Sequence, residues 1–264
     1  MVESAATVAV GPVSEQAAPA PATTTAIFVA AGVLLAAALV VGFWVAPTDA
    51  STLGFSQKIF YFHAPIAETA LLAFGVAFVA ALLYLRRGDA RYDRLGVAAV
   101  RLGLLFSLLV MVTGVIWGRA AWGVWWAWEP RLTTFLIACL LYGGYFVLRG
   151  AVEDESRRAT YAALFAIIAF VDVPITFFAT RFLPEGLHPV VLGPSGSGMA
   201  GRDLVAFACG MVGMTLLLVG LLRIETGIES LREGLRDLID RPAGGHQGLA
   251  DDLSAIDTLP ARFR

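Results

Sequence analysis

The sequence predicts an all-α membrane protein, a six-transmembrane-helix bundle with both termini cytoplasmic. Three observations carry that expectation. Of the 264 residues, 58% are hydrophobic and only 15% charged, a balance suited to lipid-facing helices rather than to a soluble globule. The apolar residues gather into six runs, each close to the roughly 20 residues that a helix needs to cross the hydrocarbon core. The arginines concentrate in every second connection, which sets the orientation.

Taken in order, residues 1–25 are rich in Ala, Pro, Thr and Val and contain no Lys or Arg. They lack the basic start of a cleaved signal peptide and read as a disordered cytoplasmic tail. The spans follow at about 26–46, 59–85, 95–117, 132–148, 160–179 and 203–222, forming a membrane domain over 26–222. The second is long enough to tilt or to project beyond the bilayer. Arg86, Arg87, Arg91 and Arg94 separate spans two and three; Arg149, Arg157 and Arg158 separate four and five; Arg223, Arg232, Arg236 and Arg241 follow span six. The opposite connections hold Lys58, then Arg119 and Arg131, then Arg181 and Arg202. The arginine-rich side is therefore expected to be the cytoplasm. In the tail 223–264, Ile224, Ile228, Leu231, Leu235 and Leu238 recur among charges and predict an amphipathic helix over about 224–239. Such a helix caps the bundle, lies on the inner surface or meets a cytoplasmic partner. After Pro242 the chain turns Gly-rich and polar.

A net charge of −2, with basic residues scattered over short loops, argues against nucleic acid. Cys139 and Cys209 stand alone in apolar runs and read as small buried hydrophobes. The stretch "GPSGSGMA" at 193–200 has glycines spaced like a phosphate loop, but Met199 and Ala200 stand where Lys and Ser or Thr are needed, and no strand is expected before it. Any ATPase is thus expected on a separate chain. Arg101 near the inner end of span three is expected to snorkel. Glu68 and Asp172 lie inside the spans, where a charge is costly. They are expected to make a polar contact between spans two and five, to line a cavity, or to orient a ligand histidine.

The outer loops hold the unusual chemistry. The loop 117–131 carries Trp117, Trp122, Trp125, Trp126 and Trp128, five of the six tryptophans, followed by Glu129 and Arg131. If it is helical, Trp122, Trp125, Trp126 and Glu129 share a face that Trp117 and Trp128 frame. An aromatic belt at the membrane interface would spread its indoles over several helix ends, whereas only Trp44 lies elsewhere. Two of the three histidines are also outer: His63 at the start of span two and His188 in the loop 180–202. Two neutral imidazoles can fill both axial positions of a heme iron, indoles can cover its flat apolar face, and arginines such as Arg119, Arg131, Arg181 or Arg202 can pair with its propionates.

These residues carry a resemblance. "WGVWWAWEPRLT" is similar to the tryptophan-rich signature of the heme-handling membrane proteins of c-type cytochrome maturation, and the chain as a whole resembles their heme exporter protein C (CcmC) family. "IFYFHAPIA" and "FVDVPITFFATRFLPEGLHP" resemble that family's two histidine segments, in the same order, within about residues 50–222. The chain departs from the family pattern in three ways: Glu129 stands where close relatives usually have Asp, Arg181-Phe182-Leu183 stands where the segment is often tryptophan-rich, and the cytoplasmic tail is longer than a six-span core requires. The resemblance implies heme b bound non-covalently as cargo at the outer face of a bacterial or archaeal cytoplasmic membrane. His63 and His188 would be its axial ligands, and Trp117, Trp122, Trp125, Trp126, Trp128, Glu129 and Arg131 its surroundings. It further implies presentation to the heme chaperone CcmE, and an ABC-type complex with an ATP-binding component (CcmA), a second membrane component (CcmB) and a small single-span component (CcmD). The protein itself would catalyse nothing. Alternatives are a CcsA-like heme lyase component, which typically has more spans and histidines, and a respiratory cytochrome b subunit, which usually buries its histidines inside the spans.

Overall fold

The structure, a computed structural model, describes residues 22–46, 54–182, 192–193, 196–197, 199 and 201–240. Six of its helical segments are long and apolar enough to cross a membrane. Helix α1 (Ala22–Val40) runs on through a π-turn at Val41–Val45, and a 3-10 turn at Gly54–Ile59 leads into α2 (Phe60–Arg87). Then come α3 (Ala90–Trp122), α4 (Pro130–Ala151), the broken pair α5 (Glu155–Ala169) and α6 (Asp172–Phe182), and α7 (Gly201–Asp240). Two-residue strands β1 (Leu192–Gly193) and β2 (Gly196–Ser197) pair antiparallel before α7. A strand therefore does precede part of the glycine-rich stretch, although the Lys and Ser or Thr of a phosphate loop are still missing.

Local chemistry sets the boundaries. Gly88, at φ 65°, ends α2 in the left-handed region that glycine adopts without strain. Asp89 caps α3 by accepting the Arg91 N–H at 2.9 Å, and Asp154 caps α5 by accepting the Arg157 N–H at 2.8 Å. The fifth crossing breaks at Phe170 and Val171 because Pro174 has no N–H to offer the Phe170 carbonyl; that carbonyl instead accepts from Val173 at 3.0 Å. The helices alternate in direction, so the C-terminal ends of α1, α3 and α6 lie at one end of the bundle, called here the tryptophan end. Those of α2 and α4 lie at the other, the arginine end.

Three expectations change. Residues 22–25 are already helical rather than tail. The amphipathic segment 224–239 is not a separate helix but the continuation of α7, because no Pro or Gly cap interrupts it before Asp240. Arg101 does not merely snorkel: it pairs with Glu225 and, at 2.8 Å, with Glu229 on that continuation. The segments 1–21 and 241–264 lie outside the described residues.

The helices pack through small residues, as membrane helices do when close backbone approach rather than water exclusion drives association. Helix α2 lies centrally against α3, α5 and α7, with Ala70, Ala73, Ala77 and Ala80 fully buried. Three glycines of α3 face it in sequence. A Cβ on Gly96 would lie 3.9 Å from the Ala80 methyl, one on Gly103 only 2.5 Å from the Phe74 ring, and one on Gly114 3.2 Å from the His63 ring. Phe74 is held from its other side by Tyr142 of α4, stacked at 3.6 Å with planes 2° apart. Along the outer flank, Gly213 and Gly220 of α7 receive Leu35 and Phe28 of α1. At the arginine end, Arg149 grips Asp93 through two bonds of 2.7 and 2.9 Å, a paired geometry that gives guanidinium–carboxylate contacts their specificity.

Gly103→Val is expected to destabilise the bundle by about 1–3 kcal/mol, since Phe74 cannot retreat from Tyr142. Thermal unfolding in detergent checks this, with Gly143→Ala as a neutral control because nothing lies within 4 Å of its added Cβ. Arg101→Ala is expected to speed amide hydrogen exchange in residues 223–232 without changing exchange in α2.

Candidate functional site

The site begins with how the first two turns of α2 are held. The buried ammonium of Lys58 donates to the carbonyls of Gly42, Phe43 and Ala46 at 2.9, 3.0 and 2.9 Å. It thereby satisfies the otherwise unbonded C-terminal oxygens of the first crossing. Buried Tyr61 donates its hydroxyl to Asp203 of α7. Pro65 leaves the Tyr61 carbonyl without its helical donor, and α7 closes on that spot through Gly210, whose Cβ would meet the Tyr61 oxygen at 2.8 Å. Between these anchors His63 has little freedom to move.

Phe60, His63, Ala64 and Ala67, at helical spacings of three and four, form one wall of a cavity that opens to the outside. Val110, Met111, Gly114 and Trp117 of α3 form the second, and Arg131, Leu132 and Phe135 of α4 the third. The lining is apolar apart from one imidazole, one indole N–H and one guanidinium, the mix of greasy wall and few polar groups found in sites for small organic ligands. His63 is 8% exposed. Its Nδ1 lies 2.8 Å from Thr113 Oγ1, and its ring meets that of Trp117 edge-on, at 5.4 Å and 67°.

The tryptophans are divided between two kinds of backbone. Helix α3 extends to Trp122, so Trp117 and Trp122 are helical, with rings 5.6 Å apart. Gly123, at φ 77°, then ends the helix, and residues 124–129 are irregular. The shared helical face expected for Trp122, Trp125, Trp126 and Glu129 does not form, because that left-handed glycine turns the chain. Trp117, at 4% exposed, is the indole on the cavity wall, whereas Trp125 and Trp128 are 61% and 76% exposed. Trp126 packs edge-on against Trp128 at 5.5 Å, and its buried Nε1 has no hydrogen-bond partner among the described residues. Buried Glu129 occupies the N-cap position of α4, where its carbonyl accepts the Thr133 N–H at 3.0 Å.

Of the expected cations, Arg131 reaches the cavity. Arg119 is tied to the loop, donating to the Gly123 carbonyl and lying 5.8 Å from the Trp125 ring centre. Arg202 is exposed. His188 and most of the loop 180–202 lie outside the described residues, as does the Arg181 side chain. Glu68 and Asp172 serve none of the expected roles among the described residues. Neither lines the cavity; Asp172 accepts from Thr176 of its own helix at 3.3 Å; the Glu68 Oε2 has no hydrogen-bond partner among the described residues; and the partner of His63 Nδ1 is Thr113. Both cysteines are free thiols.

The sequence reading missed Thr113, Gly114, Phe60, Met111, Leu132 and Phe135. Phe60 was detectable, since it repeats with His63 and Ala67 at helical spacing. Thr113 was not, because its meaning depends on a histidine 50 residues away.

Comparison with known proteins agrees with this architecture. The model of the family described as "Heme exporter protein C" matches residues 11–238. The heme exporter protein C of Paracoccus denitrificans is 34% identical over 191 residues, 71% of this chain and 79% of that protein. That of Rhodobacter capsulatus is 36% identical over 161 residues, 61% and 66% of the two chains. That of Escherichia coli K12 is 32% identical over 155 residues, 58% and 62%. With most of its length matched, including all six membrane-crossing helices, the chain belongs to the heme exporter protein C family.

Proposed function

We infer that the protein binds heme b non-covalently in the cavity between α2, α3 and α4 and presents it to the heme chaperone CcmE during c-type cytochrome biogenesis. It would act as a membrane component of an ABC-type complex with CcmA, CcmB and CcmD, without an ATPase site or catalytic activity of its own. The tryptophan end would face outward from the cytoplasmic membrane, with both termini in the cytoplasm. The single observation that carries this reading is the buried His63 on the wall of an otherwise apolar cavity, with Trp117 edge-on to it.

The residues suit such a cargo. A porphyrin needs an imidazole for its iron, flat apolar surface for its macrocycle and cations for its propionates. Here His63 supplies the first, Phe60, Trp117 and Phe135 the second, and Arg131 the third. His188 would be the second axial ligand, contributed from the loop before α7. Trp122 would extend the indole surface beyond Trp117, and Glu129 with Trp126 would hold the stretch 124–129 that leads to Arg131. Exposed Trp125 and Trp128 would meet the chaperone, because amphipathic aromatic rings are favoured anchors at protein interfaces.

Protein purified from heme-replete cells is expected to show a low-spin heme spectrum, and His63→Ala or His188→Ala to weaken or alter it. A colourless preparation, reproduced with the partner proteins present, would overturn the reading. Heme stably reduced by quinol would favour an electron-transfer role instead. Trp117→Ala is expected to lower heme occupancy several-fold, whereas Trp44→Ala, on an exposed side chain away from the cavity, leaves it unchanged. Trp125→Ala with Trp128→Ala is expected to spare the spectrum while weakening co-purification with the chaperone.

A further inference from the structure

Thr113 Oγ1 sits in a position where counting protons decides the chemistry of His63. It lies 2.8 Å from the Leu109 carbonyl oxygen and 2.8 Å from His63 Nδ1. A hydroxyl has one proton to give, and a carbonyl has none. Two oxygens at 2.8 Å without a proton between them would repel, so the Thr113 proton belongs to the carbonyl. This is the back-bond that threonines make within helices; a weaker branch reaches the Val110 carbonyl at 3.3 Å. The contact to the imidazole is then a hydrogen bond only if Nδ1 donates. A neutral ring that carries its proton on Nδ1 has its lone pair on Nε2.

The rest of the α3 face fits that assignment. Gly114, the next residue, places no side chain against the other edge of the ring: its added Cβ would lie 3.2 Å from His63 Cε1 and 3.9 Å from Nε2. Trp117, one turn on from Thr113, closes the ring from the side. Thus α3 presents an acceptor, a gap and an indole along one face.

We propose that Thr113 is a positioning residue that fixes His63 as the Nδ1–H tautomer and so makes Nε2 the nitrogen that meets the heme iron. The role toward iron rests on the heme reading above; the tautomer does not. Metal-bound imidazoles commonly donate their second N–H to such an acceptor, which orients the ring and raises its basicity, and losing that partner typically costs about 10- to 100-fold in affinity.

The test uses the full-length protein in nanodiscs with 15N-labelled histidine, without heme, the His63 signals being assigned by their loss in His63→Gln. Nuclear magnetic resonance is expected to find the proton on Nδ1 of His63. In Thr113→Val, which keeps the side chain's shape, the proton should redistribute toward Nε2, and Thr113→Ser should restore it. With heme b added, the valine variant should bind about 10- to 100-fold more weakly and show a raised midpoint potential, because a less basic ligand stabilises ferric iron less. A proton on Nε2 in the unsubstituted protein would overturn the proposal, as would a valine variant with unchanged tautomer and potential. An Nδ1–H ring in a protein that takes up no heme would support the tautomer assignment and overturn its role toward iron, and with it the heme reading.

Discussion

The structure depends on how closely α2 can approach α3. Gly96, Gly103 and Gly114 occupy one stripe of α3, and each faces a residue of α2: Ala80, then Phe74, then His63. The two helices run antiparallel, so a single register satisfies all three contacts. A slip of one residue would drive the Phe74 ring into a side chain where there is now only a glycine. In lipid, where burying apolar surface gives little advantage over leaving it in the bilayer, this fit of backbone against side chain is the available source of specificity. The same seam that fixes the register in the middle of the bundle places the imidazole at its end.

The two ends of the molecule use polar groups differently. At the arginine end, Asp93 with Arg149 and Arg101 with Glu225 and Glu229 pair opposite charges across helices. These contacts tie α7 to α3 and α4 to α3, and they hold a frame. At the tryptophan end, Lys58 and Tyr61 are committed to carbonyls and to Asp203, which fixes the start of α2 from both sides. The few polar groups that remain on the cavity wall, His63, Trp117 and Arg131, stand on rigid elements rather than loops. A site built in this way is held ready for its ligand. The irregular stretch 124–129, with two indoles largely in the open, is by contrast suited to contact with another protein.

Part of this was legible in the chain and part was not. The six crossings follow from run length, and the breaks follow from Pro174, Gly88 and Gly123, each readable as a local signal once its neighbours are known. The tryptophan cluster and His63 were visible as chemistry gathered toward one end. Their division was not: a helical face was a fair expectation from spacings of three and four, and one glycine in the left-handed region cancelled it. Glu68 and Asp172 show the same limit, since an acid inside a span calls for some partner, while position along the chain does not reveal which neighbours its helix turns it toward.

Six membrane crossings and membership among the heme exporter C proteins could be had from the order of residues, because hydrophobic run length and short motifs are local properties that survive without a fold. Folding was needed to bring Thr113 into a hydrogen bond with His63, 50 residues away, to set Gly114 where it leaves room for the ring, and to select Trp117 rather than the later indoles as the ring's neighbour. Those facts arise from the angle and register at which two helices pack. That geometry is set by many small contacts along the whole seam, and no single stretch of sequence contains it.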